Sequence, residues 1–189
     1  MAENDARDRI LAATRQEIAD SGVRGLRVQH VAKRAGVSLG LVYYHFDDRA
    51  GLLNATIDSV NEAVRERGPV ADATLPPAEA VIEMLVAEFG DADGTREDSV
   101  VWNEIRAIAV FETELQAALG RTTLAWEGRI ADPLAQAGVP AAALAETATL
   151  LTSLVEGLSS RWLSGQIDTE TALRLMRTSA AAIIAAART

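Results

Sequence analysis

Side chains suited to gripping a polar partner crowd one stretch of this chain, residues 28–49, which reads VQHVAKRAGVSLGLVYYHFDDR. Gln29, Ser38, Tyr43, Tyr44, His45 and Arg49 supply an amide, hydroxyls, an imidazole and a guanidinium, and Arg27 stands just ahead of them. A Gln side chain can read an adenine edge and a Leu can meet a thymine methyl, whereas Tyr and Arg fix register on phosphates without reading sequence. Catalysis finds no comparable set. The chain has no Cys, and neither of its two imidazoles, His30 and His45, has a carboxylate cluster at ligand spacing, so no metal is expected. A Ser-His-Asp hydrolase needs its nucleophile on a strained strand-turn-helix elbow, and no such pattern occurs. The chain reads as a non-enzyme that carries no cofactor.

The same stretch carries the elements that would position those groups. Val31, Ala32 and Ala35 give a first short helix its apolar face, and Val42 and Phe46 do so for a second at i, i+4. Between them lies Ala35-Gly36-Val37-Ser38. Gly36 supplies the backbone freedom that a sharp reversal needs, and Ser38 can cap the helix that follows. Helix, Gly-containing turn, helix is the geometry of a helix-turn-helix, whose second helix enters a DNA major groove.

A net charge of −9 runs against nucleic-acid binding until it is divided. Residues 1–50 hold eight Lys/Arg against seven Asp/Glu, and the remainder ten against twenty. Residues 24–46 hold four cations and no acid. Phosphate affinity depends on local cations and the counterions they release, not on whole-chain charge. The division fits a DNA-reading head, residues 1–50, on a larger acidic body, residues 51–189. Abundant Ala and only five prolines point to an all-α protein. The lack of Cys fits a reducing compartment, the polar N-terminus is unlike a signal peptide, and the longest apolar stretch, 180–187, is far short of a membrane span. A cytoplasmic protein with no membrane partner is expected.

Taken in order, the chain gives about nine helices and no strand. A first helix over 5–21 stops at Gly22, and a fourth starts at Asp47-Asp48 and runs to about Arg67. Loose segments are expected at 68–75 and 90–94. Pro76-Pro77 opens the fifth helix. From Arg96 to Phe111 the sequence is helical and apolar nearly all round, as for a helix buried on most sides. The next helix, 115–136, is expected to kink or break at Pro133. A long eighth helix over 141–164 and a final one capped by Asp168 complete the count.

Residues 9–53 resemble the N-terminal domain of the TetR family of bacterial transcriptional repressors. Gly22, Val31-Ala32, Ala35-Gly36-Val37-Ser38, Gly40, Val42-Tyr43, His45-Phe46, Arg49 and Leu52-Leu53 carry the resemblance. The helix order beyond residue 60 is similar to the ligand-sensing bodies of the BetI-like and AcrR-like branches. The resemblance implies a three-helix head that reads a double-stranded DNA operator. Leu39, Leu41 and His45 would face the major groove with Gln29, beside Gly40, while Ser38, Tyr43, Tyr44 and Arg49 would hold phosphates. Arg27 stands where the family has a capping Thr or Ser, so it would reach a phosphate instead. The implied function is that of a repressor released from a palindromic operator by a small-molecule effector.

For the effector pocket the candidates are Trp102, Asn103, Arg106, Trp126, Thr152 and Glu156. Each Trp can equally be core filler, and Arg106, one turn after Trp102, needs a partner that could be Glu104, Glu156 or an anionic ligand. Acidity and tryptophans fit a cationic effector held by cation–π contact, while Arg106 fits an anionic one. The Ala-rich last helix allows close approach of axes, so the last two helices are expected to form a homodimer seam. An α-bundle enzyme and a helical interaction module without DNA binding are the competing classes.

Overall fold

The computed structural model describes residues 2–67, 74–90 and 94–189. Among these, every regular element is helical. The elements are α1 Ala2–Gly25, α2 Val28–Ala35, α3 Leu39–Phe46, α4 Arg49–Arg67, α5 Pro77–Val86, α6 Thr95–Ala109, α7 Gln116–Gln136, α8 Leu144–Leu163 and α9 Thr169–Ala187, with a 3-10 turn, Thr113–Leu115, ahead of α7. The all-α class, the nine-helix count, the N-terminal helix-turn-helix and the C-terminal bundle agree with the expectation from sequence. The expected loops at 68–75 and 90–94 lie largely outside the described residues.

Local chemistry explains most helix ends. Arg27, a donor-only side chain, stands at the N-cap of α2 and makes no cap bond. Gly36 closes α2 in the left-handed region, its N–H and that of Val37 returning to the Lys33 and Ala32 carbonyls. Ser38 Oγ then accepts from Leu41 N–H at 3.1 Å and starts α3. Asp168 Oδ1 accepts from Thr171 N–H at 2.8 Å at the head of α9. Pro133 neither breaks nor ends α7 at once. It falls in the last turn, and the Ala137, Gly138 and Val139 N–H groups close the helix behind it.

Two compact units are present, one of residues 1–66 with 100–122 and one of 67–99 with 123–189. In the first, Ile10, Ile18, Val31, Val42, Phe46, Leu52, Leu53 and Ile57 share one core with Val101, Ile105, Ile108 and Leu115. The later half of α6 therefore belongs to the same core as α1–α4, which accounts for its apolar character. Each fully buried Ile or Leu there contributes roughly 1.5–3 kcal/mol. Val110 and Phe111, which extend the apolar run in the sequence, lie past the end of α6 and are exposed. The second core joins Val81, Leu85, Phe89, Ile130, Leu134, Leu151, Leu158, Trp162, Met176 and Ile184. Glu83 of α5 pairs with Arg177 of α9, and that hydrogen-bonded pairing holds the Glu83 carboxyl below the usual carboxylate range.

Buried threonines show a pattern with one exception. Thr14, Thr56, Thr122 and Thr147 each donate to the carbonyl four residues back, at 2.8, 2.8, 3.0 and 2.7 Å. Thr152 is as buried as these, yet its Oγ1 has no partner. A buried hydroxyl left unsatisfied costs about 1–3 kcal/mol.

Candidate nucleic-acid interface

Two core residues, Val42 and Phe46, dock α3 and leave its other faces outward. Tyr44 is 70% exposed and Tyr43 43%. Gln29, Arg27, Ser38 and Gly40 are exposed, while Leu39 and Leu41 are half-buried. His45 is half-buried, edge-on to Tyr44 with ring centroids 5.3 Å apart and tilted against Phe46 at 5.9 Å. Its Nε2 is enclosed and has no partner, so a contact through His45 must use Nδ1 or ring carbons. Arg7 of α1 covers the Phe46 ring at 5.5 Å.

The cations of the first unit divide into two groups. Arg34 is held by Asp20 at 2.7 Å and Glu17 at 3.3 Å, and Arg9 Nη1 donates to the Ala35 carbonyl at 3.1 Å. Arg24, Arg27 and Lys33 are exposed and have no acid partner among the described residues. Lys33 was legible only as one of the four cations in the acid-free stretch.

Arg49, which the sequence reading gave to a phosphate, stands with the held cations in this structure. Its Nη2 donates to the Val23 carbonyl at 2.9 Å, and its Nη1 donates to Glu112 at 3.2 Å. At the N-terminal side of the same helix α4, Asp47 has φ 60 and ψ −60, a strained turn closed by Asp48 N–H on the Phe46 carbonyl at 2.6 Å. Asp48 Oδ1 caps α4 by accepting from Gly51 N–H at 2.8 Å. A Cβ at Gly51 would drive into the Phe46 carbonyl, so the corner joining α3 to α4 is tightly closed.

Three residues that the sequence reading did not single out as a site hold the end of α1. Gly22 breaks the helix with φ 70 and ψ 166, and the helix resumes for one turn to Gly25. The break frees Val23 N–H, which donates to Glu104 Oε2 of α6 at 2.9 Å. Glu104 lies 81 positions away, so no local signal could have found the pair.

The effector candidates fall in both units. Trp102, Asn103 and Arg106 belong to the first, where Trp102 packs on the core and Arg106 covers its ring at 5.6 Å. Trp126, Thr152 and Glu156 belong to the second. Arg129 covers Trp126 at 5.2 Å, and Arg96 covers Trp162 at 5.0 Å. Trp162 also donates Nε1–H to Thr169 Oγ1 at 3.0 Å and meets Phe89 edge-on, a satisfied core position. Among the described residues, no group of three or more His, Asp or Glu could hold a metal ion, and no helix is long and apolar enough to cross a membrane.

Comparison with known proteins adds an independent line. Residues 10–56 match the sequence pattern of the bacterial regulatory proteins of the tetR family, and residues 77–185 that of the C-terminal part of BetI-type transcriptional repressors. The HTH-type transcriptional regulator BetI of Cronobacter sakazakii is 33% identical over 182 residues, covering 89% of this chain and 86% of its own length. That of Burkholderia thailandensis is 29% identical over 179 residues, covering 89% and 88%. A Rhodococcus sp. crystal structure described as a TetR-family transcriptional regulator is 41% identical, with a TM-score of 0.87 over 97% of this chain and 100% of its own. A regulator from Saccharomonospora viridis, solved with choline, shares the fold at 21% identity and a TM-score of 0.78 over 96% of each chain.

Proposed function

The chain belongs to the TetR family of transcriptional regulators, its body BetI-like, and on that premise we propose a homodimeric repressor that a small-molecule effector releases from a palindromic operator. The family is one of DNA-binding regulators and not of enzymes. In this reading residues 1–50 read DNA, and residues 51–189 bind the effector and dimerise. The observation that carries it is the outward face of α3, with Tyr43 and Tyr44 exposed beside an acid-free stretch, 24–46, in which Arg24, Arg27 and Lys33 have no acid partner among the described residues.

Gln29, Leu39, Leu41 and His45 read base edges, and Arg27, Ser38, Tyr43, Tyr44 and Arg49 hold phosphates around Gly40. The dimer forms through α8 and α9. Support comes from half-exposed Leu150 on α8 and from Ala181, Ala182, Ala185 and Ala186 on α9, small side chains that let helix axes approach. Each head then occupies one half-site, with centres about 34–36 Å apart or more. The effector shifts the equilibrium only by its preference for one conformation over the other.

For the effector, Thr152 is the strongest single pointer, because its enclosed hydroxyl has no protein partner. Trp126 and Glu156 are the candidates of the same unit, and Trp102, Asn103 and Arg106, of the first unit, are separate candidates. Choline, bound by the Saccharomonospora viridis protein, is the first compound to try. A quaternary ammonium would have to meet any of these tryptophans on the face opposite the guanidinium that each carries. Fluorescence anisotropy of labelled random duplexes, titrated with the full chain at two salt concentrations, tests the DNA-binding part. Salt-sensitive binding supports it, and no binding at micromolar protein contradicts it.

A further inference from the structure

Glu112 immediately precedes the 3-10 turn that follows α6 and shares one surface cleft of about 320 Å³ with Arg24, Arg49, Ile108 and Phe111. The Arg49 side chain is 36% exposed and that of Glu112 29%. Both terminal nitrogens of Arg49 are committed, Nη1 to Glu112 and Nη2 to the Val23 carbonyl. A guanidinium holds a phosphate best with two parallel N–H donors, so a phosphate that takes both terminal nitrogens of Arg49 competes with these two acceptors. We propose that Glu112 competes with DNA for Arg49, holding the guanidinium in the free protein and yielding it to a backbone phosphate when the head docks.

The inference rests on the reading of Arg49 as a phosphate contact and adds an opposing group to it. Two physical points make the exchange feasible. A half-exposed ion pair is worth little in water, a factor of about five at most in an equilibrium constant, so a phosphate can outbid it. Glu112 is also not left bare, because Arg24 lines the same cleft and has no acid partner among the described residues. When Arg49 swings out, Arg24 supplies the replacement cation. Glu112 thereby sets how tightly the regulator holds any duplex without itself touching one, and is a positioning residue.

The test measures duplex binding by the full chain between about 50 and 200 mM salt for the native sequence, Glu112→Gln, Arg49→Gln and the double variant. Gln at 49 keeps a donor for the Val23 carbonyl while losing the charge, and a thermal melt confirms that each variant folds. Glu112→Gln is expected to bind about two- to fivefold tighter per head. Arg49→Gln is expected to flatten the log K against log salt slope by about 0.9 per head. Glu112→Gln should then change nothing in the Arg49→Gln background. No tightening in Glu112→Gln, or the same tightening when Arg49 is already gone, overturns the competition. An unchanged slope in Arg49→Gln overturns the phosphate reading of Arg49 instead, and loss of all binding in the native chain overturns DNA binding itself.

Discussion

Glu104 Oε2 of α6 accepts the Val23 N–H at 2.9 Å across 81 residues of sequence, at the one point where α1 is broken. The break is at Gly22, whose φ of 70 suits a residue without a side chain. A Cβ there would lie 2.7 Å from the same Glu104 oxygen. The kink and the carboxylate thus require each other: the kink exposes an N–H, and the carboxylate fills the space where a side chain would stand.

Gly22→Ala is accordingly expected to lower stability by about 1–3 kcal/mol, through both the positive φ and the collision. Glu104→Ala should cost a similar amount by stranding Val23 N–H, whereas Glu104→Gln, which keeps an acceptor, should cost less. Denaturant melts of the three variants check the order. Equal losses for Glu104→Ala and Glu104→Gln would mean that the charge, not the hydrogen bond, matters.

The two roles proposed for the head separate by sequence dependence. Tyr43→Phe, Arg27→Ala and Lys33→Ala should weaken binding to all duplexes alike, and the two charge removals should each flatten the salt slope by about 0.9 per head. Gln29→Ala and Leu41→Ala should change preference at particular base pairs, by about 1–3 kcal/mol each. Competition binding against single-base variants of a selected duplex reads the difference. The reverse assignment would show that α3 is rotated about its axis relative to this reading.

Thr152→Val removes the hydroxyl that has no partner while nearly preserving shape. Stability is expected to stay level or rise by about 1 kcal/mol, since no protein hydrogen bond is lost. If Thr152 binds the effector, the same variant loses the thermal shift that any stabilising compound gives the native chain. Choline, acyl compounds and aromatic acids form the screening set. A full thermal shift retained by Thr152→Val removes Thr152 from the pocket.

Acid should loosen α9 first at its cap. Hydrogen bonds from Thr171, side chain before backbone, hold the Asp168 carboxyl below the ordinary Asp value of 3.8. A lowered folded value means that the cap's contribution is present above that ordinary value and is lost as pH falls through the lower one. Asp168→Asn keeps a side-chain acceptor without a charge, so its melting temperature should depend less on pH below about 4. Melting curves between pH 2 and 6, in parallel for both proteins, check this.

Features set by neighbouring residues were legible in the sequence. The Gly36 reversal, the Ser38 cap and the Asp168 cap each need only three or four consecutive positions, and the structure has all three. Gly22 was legible as a stop but not as a kink, because what sustains the extra turn is Glu104, distant in sequence. The apolar run into Phe111 was legible as a buried helix up to Ala109 only. A periodicity cannot say where a helix ends when no cap residue marks it. Arg49 was legible as a cation at the start of α4, while its pairing with Glu112 depends on how the chain returns from residue 112 to residue 49.

Selection of duplexes from a fully random pool by the full-length chain, followed by sequencing of the bound fraction, tests the central claim most directly. The account predicts one enriched motif with two-fold symmetry, its half-site centres about 34–36 Å apart or a further helical turn, and a shifted preference within each half-site for Leu41→Ala. A bound fraction with no enriched motif, or with a single half-site that Leu41→Ala leaves unchanged, would contradict it.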